Sequence, residues 1–95
     1  MNNKSKMTID KYGTKRWYLN NKLHRIDGPA VEYTNGDKFW FFNGKYHRTN
    51  GPAIECKNGY KTWYLNGIEV TKKEVMIDIN PDITEKEYLE FVINL

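Results

Sequence analysis

Short runs that alternate apolar and polar residues, separated by turn residues, make up most of the chain. Such alternation places successive side chains on opposite faces of a strand, and it predicts a mainly β protein. The predicted strands lie near residues 14–19, 22–25, 29–34, 37–42, 45–48, 52–57, 60–65 and 67–70. One face is expected to carry a ladder of tryptophans and the opposite face a ladder of tyrosine and phenylalanine. The two ladders are Trp17, Trp40 and Trp63, and Tyr18, Phe41 and Tyr64.

The pattern repeats every 23 residues, which is the spacing of the three tryptophans. The run from His24 to Glu32 aligns without a gap with the run from His47 to Glu55. The third copy breaks off after Gly67, so a terminal unit that differs from the others is expected to cover it. The predicted organisation is an N-terminal segment 1–11, hairpin units 12–34, 35–57 and 58–70 (truncated), and a C-terminal cap 71–95.

Each unit carries two turn signals. Asn43-Gly44 and Asn66-Gly67 predict two-residue hairpin turns, because both central positions of a type I′ turn need positive φ. Asn20-Asn21 occupies the equivalent place in the first unit. Asn35-Gly36 and Asn58-Gly59 predict the second turn of their units.

The periodicity changes near the C-terminus. Thr84 and Glu87 form a capping-box pattern, and an apolar helical face follows it. The residues of that face are Tyr88, Phe91, Val92 and Leu95. The expected fold is therefore a twisted antiparallel sheet with a C-terminal α-helical cap.

Charge divides along the same line. The net charge of +3 combines 12 basic and 5 acidic residues in 11–73, 1 basic and 6 acidic residues in 74–95, and a balance of +1 in residues 1–10. Residues 1–10 are polar and contain no apolar signal core, and the chain has no long apolar run and one cysteine, Cys56. These features favour a cytoplasmic protein with no membrane segment and no disulfide.

The repeated run Gly-x-Lys-x-Trp-Tyr-x-Asn-Gly-x-x-His resembles MORN repeats, which are stacked β-hairpins forming an elongated sheet. Its variant His-Arg-x-Asp-Gly-Pro-Ala, at 24–30 and with Asn50 for Asp at 47–53, looks like a subgroup frequent in bacteriophage and giant-virus proteins. The resemblance covers about residues 12–73. It implies a binding or dimerisation scaffold that is not an enzyme, encoded by a phage and active in the host cytoplasm.

Two interpretations of the pairs His24-Arg25 and His47-Arg48 stay open. The guanidinium groups and imidazole rings could bind an anion such as phosphate. Alternatively, Arg25 pairs with Asp27 across the turn and each histidine packs against an aromatic ring. No catalytic motif, metal-ligand spacing or cofactor motif accompanies them. Cys56 aligns with Tyr33 in a strand, so we expect a small core residue there and not a nucleophile.

The function expected from these features is protein binding. Positions that differ between copies are not needed for the packing that all copies share. The predicted interface uses Phe39, Phe41, Tyr46 and Tyr60. Basic residues are expected to steer an acidic partner surface; they are Arg16, Lys38, Arg25 and Arg48. With the resemblance, the hypothesis becomes a phage protein that inhibits a host protein, such as a CRISPR or other immune effector. A homodimer is also expected. The alternatives are a sponge for an anionic nucleotide or nucleic acid at the His-Arg turns, and a structural virion or scaffold protein.

Overall fold

The computed structural model describes residues 4–72, and the elements in this range are strands joined by turns. The strands are β1 (Lys6–Ile9), β2 (Lys15–Leu19), β3 (Lys22–Leu23), β4 (Val31–Glu32), β5 (Lys38–Phe39), β6 (Phe41–Phe42), β7 (Lys45–Tyr46), β8 (Ile54–Glu55), β9 (Lys61–Leu65) and β10 (Ile68–Val70). The structure is mainly β and antiparallel, as the alternation predicts. The predicted helical cap at 71–95 lies almost wholly outside the described residues. No helix within residues 4–72 has the length and apolarity to cross a bilayer.

The strands form one large sheet and one ribbon. The order in the sheet is β1-β2-β4-β5-β8-β9-β10, with β3 paired to β2, and β6 pairs with β7 in a separate two-stranded ribbon. Every pairing is antiparallel.

Several strands differ from the sequence prediction, and the predicted strand 37–42 is divided at Trp40 into β5 and β6. The alternation predicts no strand in the N-terminal segment, yet β1 forms there, and its Met7 lies opposite Trp17 in register with β2. The predicted strand 29–34 is reduced to Val31–Glu32, and 52–57 to Ile54–Glu55. Arginine side chains bind the carbonyls of Pro29 and Pro52, at the starts of the two predicted strands.

The hairpin turns have the expected backbone. Asn43 and Gly44 have φ of 50° and 80°, and Asn66 and Gly67 have 50° and 82°. In the first hairpin Asn21 adopts φ of 63°, although asparagine tolerates positive φ less well than glycine does. Both central residues of each turn therefore lie in the left-handed region that a type I′ turn requires.

Strand register divides the side chains between two faces. Across β2, β4, β5, β8 and β9, the residues in line on one face are Lys15, Glu32, Lys38, Glu55 and Lys61. This side also carries Trp17 and Trp63, and we call it the tryptophan face. The line on the opposite side is Arg16, Val31, Phe39, Ile54 and Thr62. That side also carries Tyr18 and Tyr64, and we call it the tyrosine face.

The tightly buried apolar residues of the described range are small. Ala30 and Ala53 have no exposed surface, Val31 is 5% exposed, and no large side chain is fully buried. Ala30 lies between strands, because its carbonyl accepts from Trp17 N at 2.9 Å and its N–H donates to the Phe39 carbonyl at 2.8 Å. Since the sheet has little interior, its large aromatic side chains lie on its two faces.

Candidate functional site: the two faces of the sheet

The two histidines hold the next hairpin. Nδ1 of His24 accepts a hydrogen bond from Asn43 N at 3.0 Å, and Nδ1 of His47 accepts one from Asn66 N at 3.0 Å. A ring nitrogen that accepts carries no hydrogen, so the ring hydrogen of each neutral imidazole lies on Nε2. The His24 ring is 3% exposed and lies 4.4 Å from the ring of Phe42. Each imidazole therefore stabilises the turn of the following hairpin.

The two arginines fold back over tryptophans. The guanidinium carbon of Arg25 lies 3.9 Å from the centre of the Trp17 ring, and that of Arg48 lies 3.8 Å from the centre of the Trp40 ring. This stacking attracts the cation to the π face of the ring. Both side chains are about four-fifths buried.

The same guanidinium groups are held at their edges. Arg25 Nε donates to Asp27 Oδ1 at 3.0 Å, and its Nη1 donates to the Pro29 carbonyl at 3.1 Å and to Glu32 at 3.4 Å. Arg48 repeats these contacts, residue for residue, with the partners Asn50, Pro52 and Glu55. These bonds hold the Pro29 and Pro52 carbonyls, two residues before β4 and β8.

Glycine makes room for each guanidinium on the side away from the tryptophan. A Cβ placed on Gly28 would lie 2.9 Å from Arg25 Cζ, and one placed on Gly51 would lie 2.6 Å from Arg48 Cζ. Carbon atoms that are not bonded to each other do not approach this closely. Each arginine is therefore layered between an indole ring and a glycine, which explains the Arg-x-Asx-Gly-Pro run in physical terms.

These contacts bear on the two interpretations of the His-Arg pairs. Arg25 does pair with Asp27, and the hydrogen bond from Arg25 holds the pKa of Asp27 below its ordinary value. Arg48 has the neutral Asn50 at the same place, and burial lowers its pKa despite the nearby Glu55. Packing within the sheet accounts for the geometry of both pairs. Anion binding at these turns stays a prediction.

Open grooves lie beside the His-Arg turns. One groove of about 380 Å³ lies between the Arg25–Gly28 turn and the side chains of Trp40 and Arg48. A second groove, of about 320 Å³, lies beside Trp17, His24 and Lys4. Their walls include the stacked arginines, so a ligand there would meet groups that already have protein partners.

The tyrosine face carries a connected cluster of rings. Ring centres are 4.3 Å apart for Phe41 and Tyr46, 5.1 Å for Tyr46 and Tyr64, and 6.3 Å for Phe39 and Tyr46. Tyr33 adds an edge-to-face contact with Phe39 at 5.6 Å. Burial, together with the nearby Tyr64 and Tyr33, raises the pKa of the Tyr46 phenol. We call these five residues the ring cluster.

The structure brings together only part of the predicted protein-binding set. Phe39, Phe41 and Tyr46 lie side by side in the ring cluster, half-buried. Tyr60 is 58% exposed in the turn before β9, and no ring contact links it to the cluster among the described residues. Lys38 lies on the opposite face, because Phe39 and Lys38 are successive residues of β5.

Arg16 shares the tyrosine face with the cluster. Its Nη1 donates to Asp10 Oδ2 at 3.0 Å, and this hydrogen bond lowers the pKa of Asp10 and raises that of Arg16. Tyr33 and Tyr64 belong to the cluster but are absent from the predicted binding set. Strand parity already places Tyr64 in the same predicted ladder as Phe41, since it follows Trp63 as Phe41 follows Trp40.

Lysines concentrate on the tryptophan face. Lys15, Lys38 and Lys61 lie in the line described above, and Lys22 and Lys45 are in register with Leu19 and Phe42 of that face. All five lysines are exposed. The sequence indicates one basic sheet, whereas the register places most of its lysines on one side.

Nucleophile and metal chemistry have little geometric basis within residues 4–72. Burial and the nearby Asp37 raise the pKa of the Cys56 thiol, which disfavours the nucleophilic thiolate. No group of three His, Cys, Asp or Glu side chains is positioned to hold a metal ion in this part of the chain. Compared with models of known protein families, with curated proteins and with solved structures, the chain matches none.

Proposed function

We propose that the chain is a non-catalytic binding module that docks a protein partner through the ring cluster. The observation that carries the proposal is the chain of ring contacts from Tyr33 through Phe39 and Tyr46 to Tyr64, on one face of the sheet. Aromatic residues are enriched at the centres of protein interfaces, where rigid rings offer a large contact area at low entropic cost. Tyr33, at the edge of the cluster, is 41% exposed.

The fold that we propose for this module is a tandem of MORN-like hairpin units. The support is the recurrence of contacts at an offset of 23 residues. His24 N donates to the Trp17 carbonyl at 3.0 Å, as His47 N does to that of Trp40 at 3.1 Å. The Arg–Trp–Gly layers and the His–Asn turn contacts recur in the same way. A repeated unit presents the same face in each copy and leaves the variable positions free for recognition.

The narrower hypothesis is that a phage encodes this module and that it inhibits a host protein, such as an immune effector. This step rests on the resemblance of the repeat. Arg16 is the basic residue of the predicted set that shares the face of the ring cluster, so it would steer an acidic surface of the partner.

The test is a capture experiment followed by affinity measurements. The tagged full chain is incubated with bacterial lysate, the captured protein is identified, and its affinity for purified variants is measured by calorimetry. We expect Tyr33→Ser and Phe41→Ser to weaken binding by about tenfold or more each, the loss typical of an interface anchor. Tyr12→Ser is the matched control, because Tyr12 is 71% exposed and lies outside the cluster.

Circular dichroism of each variant separates lost contact from lost fold. A folded Tyr33→Ser chain that binds with wild-type affinity would overturn the proposal, as would equal losses for Tyr12→Ser. Light scattering gives the mass of the chain in solution. A stable dimer in which Tyr33→Ser weakens self-association would show that a second copy occupies the face, and would also overturn the proposal.

A further inference from the structure

The tryptophan face has a charge pattern that the proposed function does not use. Its five exposed lysines, Lys15, Lys22, Lys38, Lys45 and Lys61, take part in no ion pair among residues 4–72. The two glutamates in the same line, Glu32 and Glu55, each have an arginine at 3.4 Å. Arg25 also pairs with Asp27. The two arginines therefore offset most of the negative charge of these three carboxylates, and most of the lysine charge is left over.

The lysines form two parallel banks. Lys15, Lys38 and Lys61 are each separated by one intervening strand, which corresponds to steps of about 9.5 Å across the sheet. Lys22 and Lys45 belong to a second bank, four residues further along the strands, or about 13 Å away. The stacked pairs Arg25–Trp17 and Arg48–Trp40 lie between the banks. The result is a cationic track that runs across the strands.

The chemistry of the track favours phosphate over a protein surface. Lysine is depleted at protein interfaces, where aromatic residues and arginine dominate. Interfaces with nucleic acids are much more positively charged. A lysine ammonium is a flexible point charge that meets a phosphate in any orientation, whereas both arginines of this face already have protein partners. A row of evenly spaced point charges suits a polymer with a regular backbone of phosphates.

We propose that the tryptophan face binds the phosphate backbone of a nucleic acid, with the two lysine banks as the contacting groups. The site differs from the His-Arg turns. The arginines of the turns lie between the lysine banks, and the lysines make the contacts with phosphate. Binding is independent of sequence, because the lysines contact phosphates, which are the same for every base. Cations cover the rings of Trp17, Trp40 and Trp63.

The test is fluorescence anisotropy of the full chain with a labelled 20-nucleotide single strand of DNA, the same strand of RNA, and the DNA duplex. Affinity is measured from low to physiological salt. Each lysine that contacts a phosphate of a single strand contributes about −0.7 to the slope of log K against log salt concentration. The triple variant Lys15→Gln, Lys38→Gln, Lys61→Gln is therefore expected to make the slope shallower by about 2 and to weaken low-salt binding by about tenfold or more.

The matched control removes the same charge elsewhere. Lys6 lies on the tyrosine face, and Lys11 and Lys57 lie outside the strands. Their triple change to Gln is expected to leave the slope within about 0.5 of the wild-type value, an allowance for a fraction of one contact. Equal effects of the two triple variants would overturn the proposal, and so would the absence of salt-dependent binding to all three probes.

Two further measurements distinguish the cationic track from a site for an acidic protein and from the ring cluster. In a competition experiment, poly-glutamate should displace the labelled strands less effectively than an unlabelled strand does. Equal displacement would overturn the proposal in favour of an acidic protein. Tyr33→Ser lies on the opposite face and should leave nucleic-acid affinity unchanged, so the two proposals fail separately.

Discussion

Gly51→Ala tests the layered arginine directly. The Cβ would lie 2.6 Å from Arg48 Cζ and 2.7 Å from its Nη1, so the guanidinium must shift from its position on the Trp40 ring. The lost stacking is worth about 0.5–2 kcal/mol. The lost hydrogen bond from Nη1 to the Pro52 carbonyl, charge-assisted but partly replaced by water, adds about 1 kcal/mol.

A gain in the unfolded state opposes these losses. The φ of Gly51 is not in the left-handed region, so alanine can adopt its backbone conformation. Alanine restricts the unfolded chain and so contributes about 0.4–1 kcal/mol of stability. We therefore expect Gly51→Ala to lower the free energy of unfolding by about 0.5–2.5 kcal/mol in total.

A double-mutant cycle isolates the mechanism. Unfolding in urea is followed by circular dichroism, because the fluorescence of Trp40 would itself respond to the loss of stacking. In an Arg48→Ala background the added methyl group meets no guanidinium, so Gly51→Ala should be neutral or slightly stabilising. The same cost in both backgrounds would refute the layered arrangement.

Gly59→Ala is the control for this cycle. Its Cβ would meet nothing within 4 Å, but its φ of 95° is strained for alanine. Its cost, about 1–2 kcal/mol, comes from the backbone alone. That cost should be the same with Arg48 and with Ala at position 48.

Three other predictions concern the first unit. Because Arg25 lowers the pKa of Asp27 from its ordinary value of 3.8, this pair stabilises the fold above that pH and loses its effect as the pH falls through the lowered value. The stability difference between the wild type and Asp27→Asn, from urea titrations at pH 2 to 6, should shrink in acid; a constant difference would contradict this. Nitrogen-15 chemical shifts of the His24 ring should report hydrogen on Nε2, since Nδ1 accepts from Asn43; hydrogen on Nδ1 would rule out that contact. Asn21→Gly should stabilise the chain by about 0.5 kcal/mol in thermal melts because its φ is 63°, and a loss of stability would contradict the turn assignment.

Local features of the fold could be predicted from sequence because they depend on neighbouring residues. Asn43-Gly44 specifies a turn through the φ values that the two residues tolerate, and alternation separates Trp17 from Tyr18 within one strand. β1 could not be predicted in the same way. Its pairing depends on β2, which supplies the partners that its few residues need.

The site illustrates the same division. The repeat marks Arg25 and Arg48 as residues that recur, but not what they contact. The chain between each tryptophan and its arginine forms a β-hairpin, and only this reversal of direction brings the guanidinium onto the ring. The bonds from Arg25 to the Pro29 carbonyl and Glu32 then hold residues for which the alternation predicts a strand.

Strands, turns, the 23-residue period and the alternation of side chains follow from the order of residues alone, because each depends on backbone geometry over a few positions. Which residues share a surface depends on how the strands pair. Pairing Leu19 with Lys22, and Lys15 with Glu32, places lysines from separate strands on the tryptophan face. Register is a relation between segments, set by hydrogen bonds and packing across the sheet, and a shift of one residue would exchange the two faces.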